Sequence, residues 1–431
     1  MKKKKIVFVG LSGGVDSAVS AALLKKQGYE VVGVFIKTWH PEFLECNEEE
    51  ERVDAMRVAA FLNIPFLTFN LEDVYKKEVA DYMIREYRRG RTPNPDVMCN
   101  KEVKFGAFLK KALSMGADFV ATGHYAQVNA VENTFLSGDD AKQDIPEKKY
   151  SLLRSRLDKA EIAFTQDFLL CNVNRSQKQF LLRSPDNTKD QSYFLWTLKQ
   201  KQLNKILFPI GNLKKSEVRK LAKKFNLPVA EKKDSQGICF LGAVDLKDFL
   251  KHYIKPKKGK VLNEKGEEIG YHDGVVFHTL GERHGFTITK KTPTDEAYYI
   301  VYKDIKKNIL VVSPNKNSQF SNENYQKKRL QSATARVLRN FSAEKYPDSF
   351  FDSFHLNLEN INWISKIPEK NKNYTAQIRY HSEFLPCAIK FEGSNHSRRT
   401  QIFFNKPILV ASGQSCVIYD GDVCLGGGVV V

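Results

Sequence analysis

The chain has 431 residues, enough for two or three domains with substantial cores. Its 42% hydrophobic and 27% charged residues, with only 25 glycines and 15 prolines, exclude disordered and collagen-like chains, and no apolar run reaches the ~20 residues of a membrane span. A surplus of 68 basic over 50 acidic residues, net +18, suits a polyanionic partner, and seven cysteines without a Cys-x-x-Cys pair argue for reactive thiols rather than a disulfide framework or zinc ribbon. The lysine-rich start runs into an apolar stretch too short for a signal peptide, so a soluble, cytoplasmic protein without a membrane partner is expected.

In chain order, Ile6 to Leu11 reads as a buried strand, Asp16 to Gln27 as a helix stopped by Gly28, and Glu30 to Ile36 as a second buried strand. Glu48 to Asn63 has helical spacing with an acidic start, Phe66 to Asn70 strand character, Lys101 to Met115 helical spacing again, and Asp118 to Thr122 strand character. This alternation predicts an α/β fold, a doubly wound parallel sheet with ligands at the carboxyl ends of its strands. Residues 128–179 lose the pattern and read as an insertion. Lys214 to Phe225 is a basic amphipathic helix, and Lys255 to Lys260 a turn between subdomains. Short strand-like runs follow at Ile309–Val312, Thr375–Tyr380, Ile402–Phe404 and Cys416–Tyr419, the pattern of a small β-barrel, with a polar loop from Asn315 to Lys328. The expected division is a catalytic domain over 1–208, a central domain over 209–297 and a C-terminal β-barrel over 298–431.

Gly10-Leu11-Ser12-Gly13-Gly14-Val15-Asp16-Ser17 joins the first strand to the first helix, where backbone N–H groups and the positive helix end cradle phosphates. It lacks both the GxGxxG dinucleotide pattern and the Lys-Ser/Thr ending of the common phosphate loop. The plainer alternative is a glycine-rich turn capped by Ser12 or Asp16. The SGGVDS string resembles the pyrophosphate loop of ATP pyrophosphatases, which leave AMP on their substrate. An aspartate beside phosphates makes Mg²⁺ an expected companion of ATP, with no protein metal ligands identifiable.

Cys99 follows the doubly proline-stiffened Thr92-Pro93-Asn94-Pro95-Asp96 and opens a helix near Lys101 and Lys104, a setting expected to lower its thiol pKa. Cys239 lies far along the chain in Asp234-Ser235-Gln236-Gly237-Ile238-Cys239-Phe240. Together with TPNPDVMCNKEVKFG, ATGHYA, KDQSYFLW, FPIGNLKKSEVR, DSQGICFLG, LGERHG and GQSCVIYDGDVCLGGG, the nucleotide loop makes the chain resemble, from Gly10 to Gly428, the bacterial tRNA-specific 2-thiouridylases. The resemblance implies ATP-dependent 2-thiolation of the wobble uridine, position 34, of tRNA, with Lys, Glu and Gln acceptors expected. It also implies a persulfide donor, either a cysteine desulfurase or a sulfur-relay protein.

Residue by residue, it implies ATP contacts at Gly10, Leu11, Ser12, Gly13, Gly14, Val15, Asp16, Ser17, Ile36 and Gly123. Cys99 would be the nucleophile, Cys239 the persulfide carrier, and Asn94, Pro95 and Asp96 neighbours of the target base, with Asp96 the natural acid/base group. Lys189, Asp190, Gln191, Arg379, Tyr380, His124 and Gln414 fall in tRNA-contacting positions. A transient Cys99–Cys239 disulfide is implied; it needs the two Cα atoms within about 7 Å, which suggests movement of the loop 234–244 back to the catalytic domain. Two rivals compete: an ATP pyrophosphatase that amidates a small molecule, which leaves both cysteines without a task, and a non-catalytic tRNA-binding protein, which leaves their paired contexts unexplained.

Overall fold

The computed structural model describes residues 4–44, 47–129, 178–234, 239, 245–289, 296–315, 355–369, 372–391, 400–406 and 408–431. Most of the expected insertion over 128–179, most of the loop 234–244 and most of the polar stretch from Asn315 to Lys328 lie outside these residues. Valine-, isoleucine- and phenylalanine-rich runs form β1 (Ile6–Gly10), β2 (Glu30–Lys37), β3 (Phe66–Asn70) and β4 (Phe119–Ala121) of a parallel sheet. β5 (Ala126–Asn129) and β6 (Phe180–Arg183) form a hairpin, and β7 (Ile206–Leu207) completes the first sheet in the order β3-β2-β1-β4-β7. Strand order therefore reverses between β1 and β4, and the crevice beyond their carboxyl ends is where such sheets bind ligands. The expected α/β class is thereby met.

Apolar side chains cover both faces, as a parallel sheet requires. Helix α1 (Val15–Lys26) and the basic helix Lys215–Lys224 lie on one face, around Val7, Val9, Leu24 and Leu221. The opposite face buries Phe8, Phe69, Met83 and Phe108. Two helical stretches there carry a wide turn: Glu72–Tyr75, Lys76–Ala80 and Asp81–Arg88 run on, as do Pro95–Met98, Cys99–Phe108 and Leu109–Ser114, the middle piece of each being π-helical. The first of these stretches is absent from the elements expected above.

β8 (Gly259–Leu262), β9 (Glu268–His272), β10 (Phe286–Ile288), β11 (Tyr299–Asp304) and β12 (Ile309–Ser313) form a central sheet, ordered β10-β9-β8-β12-β11. The boundary expected at 298 thus falls within this sheet: β12 pairs in parallel with β8, which places Leu310 and Val312 in one core with Val261. Short strands of similar composition cannot announce which sheet they will join.

β13 (His355–Trp363), β14 (Tyr374–Gln377), β15 (Leu385–Phe391), β16 (Thr400–Phe404), β17 (Ser415–Asp420) and β18 (Val423–Val430) run β13-β16-β15-β14-β17-β18, and β18 pairs back to β13. The result is a closed six-stranded antiparallel barrel without free edges, filled by Ile402, Phe404, Ile418 and Leu425. The β5–β6 hairpin extends it, with Leu181 and Leu182 opposite Cys424 and Val423. The Trp196 indole donates to Ser415 Oγ at 3.0 Å and the Tyr193 hydroxyl to the Ser415 carbonyl at 2.9 Å, fastening barrel to first domain. Among the described residues no helix is long and apolar enough to cross a membrane.

Phe108 is fully buried, with its ring 6.0 Å from that of Phe69. Phe108→Ala should cost about 3–5 kcal/mol, whereas Phe61→Ala, at a side chain 51% exposed, should stay within about 0.5 kcal/mol; denaturant midpoints measure both.

Candidate active site

The glycine loop lies where strand order reverses. Gly13 sits at φ +70°, and a Cβ there would stand 2.5 Å from the Glu51 carbonyl oxygen, so the tight turn excludes a side chain. The Ser12 N–H donates to Ser17 Oγ, which donates to the Gly14 carbonyl, fixing the turn internally. Gly14 caps α1 without a side-chain acceptor among the described residues. Leu11, Val15 and Ile36 are buried, so the loop offers its backbone rather than these side chains to a ligand. Gly123, just past β4, presses on α1 so closely that a Cβ would stand 2.8 Å from the Ser17 nitrogen, while Gly10 packs near Phe108 and Thr122.

Asp16 is paired with an ammonium. Its two carboxylate oxygens accept from Lys215 Nζ at 2.8 and 2.9 Å, and one also accepts from the Tyr125 hydroxyl at 2.8 Å. Lys215 in turn meets Asp234 at 2.8 Å, and Lys189 and Arg219 converge on the same carboxylate. These cations outweigh burial and hold the Asp234 carboxyl well below the usual range. Among the described residues no set of three His, Cys, Asp or Glu side chains converges as a metal site. Lys215 answers the charge of Asp16. Lys215 and Arg219 lie in the FPIGNLKKSEVR segment but were not among the expected site residues. Their spacing, four positions apart on one helix face, was the available signal.

The second half of the site grows from Thr92 to Cys99. The Thr92 N–H donates to the Ser412 carbonyl at 2.7 Å, Gln414 Nε2 donates to the Thr92 carbonyl at 2.9 Å, and the Thr92 and Thr279 hydroxyls meet at 3.1 Å. Barrel and central domain thereby hold one short segment between them. Asn94 then caps the Pro95–Met98 turn by accepting the Val97 N–H, with Pro95 in the first helical position, where its missing N–H costs nothing. Asp96 and Cys99 are directed by that turn.

Cys239 meets them from the other side. Its N–H donates to Asp96 Oδ1 at 2.9 Å, its carbonyl accepts from the Tyr75 hydroxyl at 2.8 Å, and its sulfur lies 3.6 Å from that of Cys99. The two thiols thus touch, so their pairing needs no large rearrangement of the kind the sequence suggested. Cys99 donates its S–H and Cys239 accepts. That hydrogen bond, working against burial and helped by Lys104, lowers the Cys239 thiol to about 7. Cys99 differs from the expectation of a lowered thiol: burial, then the hydrogen bond to Cys239, pushes it far up. The helix start and nearby lysine favour the thiolate, but full burial costs more. Burial also raises the Asp96 carboxyl, against the Cys239 N–H and the Lys104 charge. By contrast Cys387, Cys416 and Cys424 are barrel-core thiols, and burial pushes Cys387 up to about 12.

The remaining predicted contacts are mostly engaged internally. His124 is buried beside Phe105 and Phe208, accepts or donates at Thr122 Oγ1 over 2.7 Å, and is held neutral by burial and by Lys104. Asp190 accepts both the Ser184 and Ser192 N–H groups, and Gln191 accepts the Tyr125 N–H. Lys189 pairs with Asp234. Arg379 donates to the Leu280 carbonyl, binding barrel to central domain, and Tyr380 lies 4.3 Å from the Phe194 ring and stacks on His381 at 3.9 Å.

Fold and site together define an α/β nucleotide-loop enzyme with a closely apposed thiol pair. A family model described as a tRNA methyl transferase HUP domain matches residues 5–243, one described as a tRNA methyl transferase PRC-barrel domain matches 247–314, and one described as an aminomethyltransferase beta-barrel domain matches 353–430. The tRNA-specific 2-thiouridylase MnmA of Streptococcus thermophilus is 37% identical over 99% of this chain and 95% of its own. Those of Geobacillus thermodenitrificans and Listeria monocytogenes are 37% and 38% identical, each over 98% of this chain and 94% of theirs. The chain belongs to the tRNA-specific 2-thiouridylase family.

A thiol lowered to about 7 gains thiolate as pH rises through neutrality. Iodoacetamide labelling of Cys239, followed by peptide mass spectrometry, should be half-maximal near that pH, with Cys99 lagging far behind; equal profiles for both would contradict the assignment.

Proposed function

We propose that this protein is an ATP-dependent tRNA-uridine 2-sulfurtransferase acting at the wobble position, in the cytoplasm, with ATP taken as its Mg²⁺ complex. The 3.6 Å apposition of Cys99 and Cys239 beside Asp96, in a chain alike over its whole length to 2-thiouridylases, carries this reading. A small-molecule amidating enzyme has no use for that pair, and a passive tRNA binder has no use for its electrostatics.

ATP binds with its phosphates against the Gly10–Ser17 backbone and the start of α1, and Lys215 and Arg219 answer the polyphosphate charge from the adjoining helix. The uracil C2 oxygen is a poor leaving group; its attack on the α-phosphorus expels pyrophosphate and converts it into AMP, a good one. The thiolate of Cys239 attacks a persulfide donor, whose own thiolate leaves, and becomes Cys239–S–SH. Its terminal sulfur attacks C2 and AMP departs with the oxygen. Cys99, its proton taken up by a neighbouring base, attacks the Cys239 sulfur and releases the thiocarbonyl. The transferred sulfur is thereby reduced to the sulfide level as the two cysteines become a disulfide, which an external dithiol reduces again. Asp96, its carboxyl raised by burial, is the acid/base group within reach of these steps.

The base must leave the anticodon stack, which costs a few kcal/mol and is cheapest in a single-stranded loop. Tyr380, stacked with His381 and packed on Phe194, offers an aromatic surface near the site, and the net charge of +18 supplies long-range attraction for tRNA. Asn94, Asp190, Gln191 and Gln414 act on the RNA through the backbone segments they hold in place, and His124 through the Thr122 side chain that it meets.

Incubation with ATP, a persulfide donor and unmodified tRNA, followed by nucleoside mass spectrometry, should yield 2-thiouridine. Cys99→Ser and Cys239→Ser should each abolish it while leaving tRNA affinity unchanged; substantial thiolation by either variant would overturn the two-thiol chemistry. Lys215→Met should raise the KM for ATP about tenfold, the loss of one charge-assisted contact, with little change in the Cys239 labelling profile.

A further inference from the structure

Among the described residues Lys104 is the cation that acts on both sulfurs of the pair, and its position depends on an unusual helix. Cys99–Phe108 is π-helical over ten residues, where such geometry ordinarily occupies a single turn. With i→i+5 hydrogen bonding the helix winds more slowly than an α-helix, so a residue five positions on falls on nearly the same side, and Lys104 shares the side of Cys99. In an α-helix positions three and four apart share a face, and Lys104 would be turned away. Gly106 accommodates the widened turn: a Cβ on it would stand 2.9 Å from the Lys101 carbonyl oxygen, five residues back.

The Lys104 ammonium hydrogen-bonds the Cys239 sulfur and faces Cys99, Asp96 and His124. Among the described residues, the charged and titratable groups that act on Cys239 are Cys99, Lys104, Asp96 and Tyr75. Asp96 and Tyr75 also engage its backbone and carry no positive charge, which leaves Lys104 as the cation of the group. Burial works against the ammonium, yet the two sulfurs outweigh it and raise its affinity for the proton.

Resting on the two-thiol reading above, we propose that Lys104 is a catalytic residue: placed by the π-helical turn, it holds Cys239 as the thiolate that takes sulfur from the donor. In that step the donor S–S bond breaks, its thiolate leaves with the electron pair, and the new bond joins the sulfane sulfur to Cys239. Lys104 keeps its proton throughout and balances, in turn, the attacking thiolate and the terminal persulfide sulfur.

The experiment is the pH profile of Cys239 alkylation in the full-length protein, with circular dichroism as the check on folding. Lys104→Met should move the labelling midpoint upward by about one unit or more, so that labelling below the midpoint slows roughly tenfold. Lys104→Arg should keep it near the wild-type value, and Gly106→Ala should move it in the direction of Lys104→Met. An unchanged midpoint in folded Lys104→Met overturns the inference, and so does a shift in Lys104→Arg as large as that in Lys104→Met. If Gly106→Ala does not fold, the two Lys104 variants decide alone. Sulfur loading is read separately: a midpoint shift accompanied by undiminished tRNA thiolation in Cys239→Ser would retain the electrostatic role of Lys104 and remove the sulfur-carrier reading. No shift accompanied by a dead Cys239→Ser enzyme would do the reverse.

Discussion

The hydrogen bonds that tie Thr92 to the barrel, its N–H to the Ser412 carbonyl and its carbonyl to Gln414, are the constraint on which the site depends. A segment carrying two prolines has few donors of its own and would otherwise sample many positions on the surface. Paired on both backbone groups with a closed barrel, and touching Thr279 of the central domain, it becomes a fixed strut. Asn94, Pro95, Asp96 and Cys99 then take their directions from one short capped turn. Ser412 and Gln414 lie more than three hundred residues further along the chain, yet they help to set where Cys99 points.

Electrostatics joins the two halves of the site. Asp234, at the head of the segment that carries Cys239, meets Lys189, Lys215 and Arg219, and Lys215 also meets Asp16 of the nucleotide loop. A polyphosphate and the Asp234 carboxylate would draw on the same cations, so the nucleotide loop and the segment leading to Cys239 share a charge network. Within the thiol pair, burial alone would keep both sulfurs protonated. The Cys99 S–H and the Lys104 ammonium tip the balance for Cys239 only, and the two cysteines are left with unequal hold on their protons.

Several side chains singled out for tRNA contact prove to be architectural in their visible bonds. Asp190 accepts backbone N–H groups at the end of β6, Gln191 holds Tyr125, and Arg379 reaches the Leu280 carbonyl across a domain boundary. A residue type and a motif carry no record of whether a polar group faces solvent or satisfies a buried partner, and burial of that partner makes the second use the more costly to lose.

The sequence by itself determined the alternating α/β sheet, the glycine loop at its first strand and the two cysteine contexts, because hydrophobic period, turn chemistry and short motifs are local properties. Gly13 at a positive φ is legible as a glycine in a loop, though its closeness to the Glu51 carbonyl is not. Tertiary structure alone decided that β11 and β12 join the central sheet, that the β5–β6 hairpin extends the barrel, and that the Cys99 and Cys239 sulfurs meet. It also decided which thiol binds its proton less tightly, since a local lysine and helix start favoured Cys99 while burial of both sulfurs and the direction of the hydrogen bond between them favour Cys239. Pairing and desolvation are sums over distant neighbours, and no window of sequence contains them.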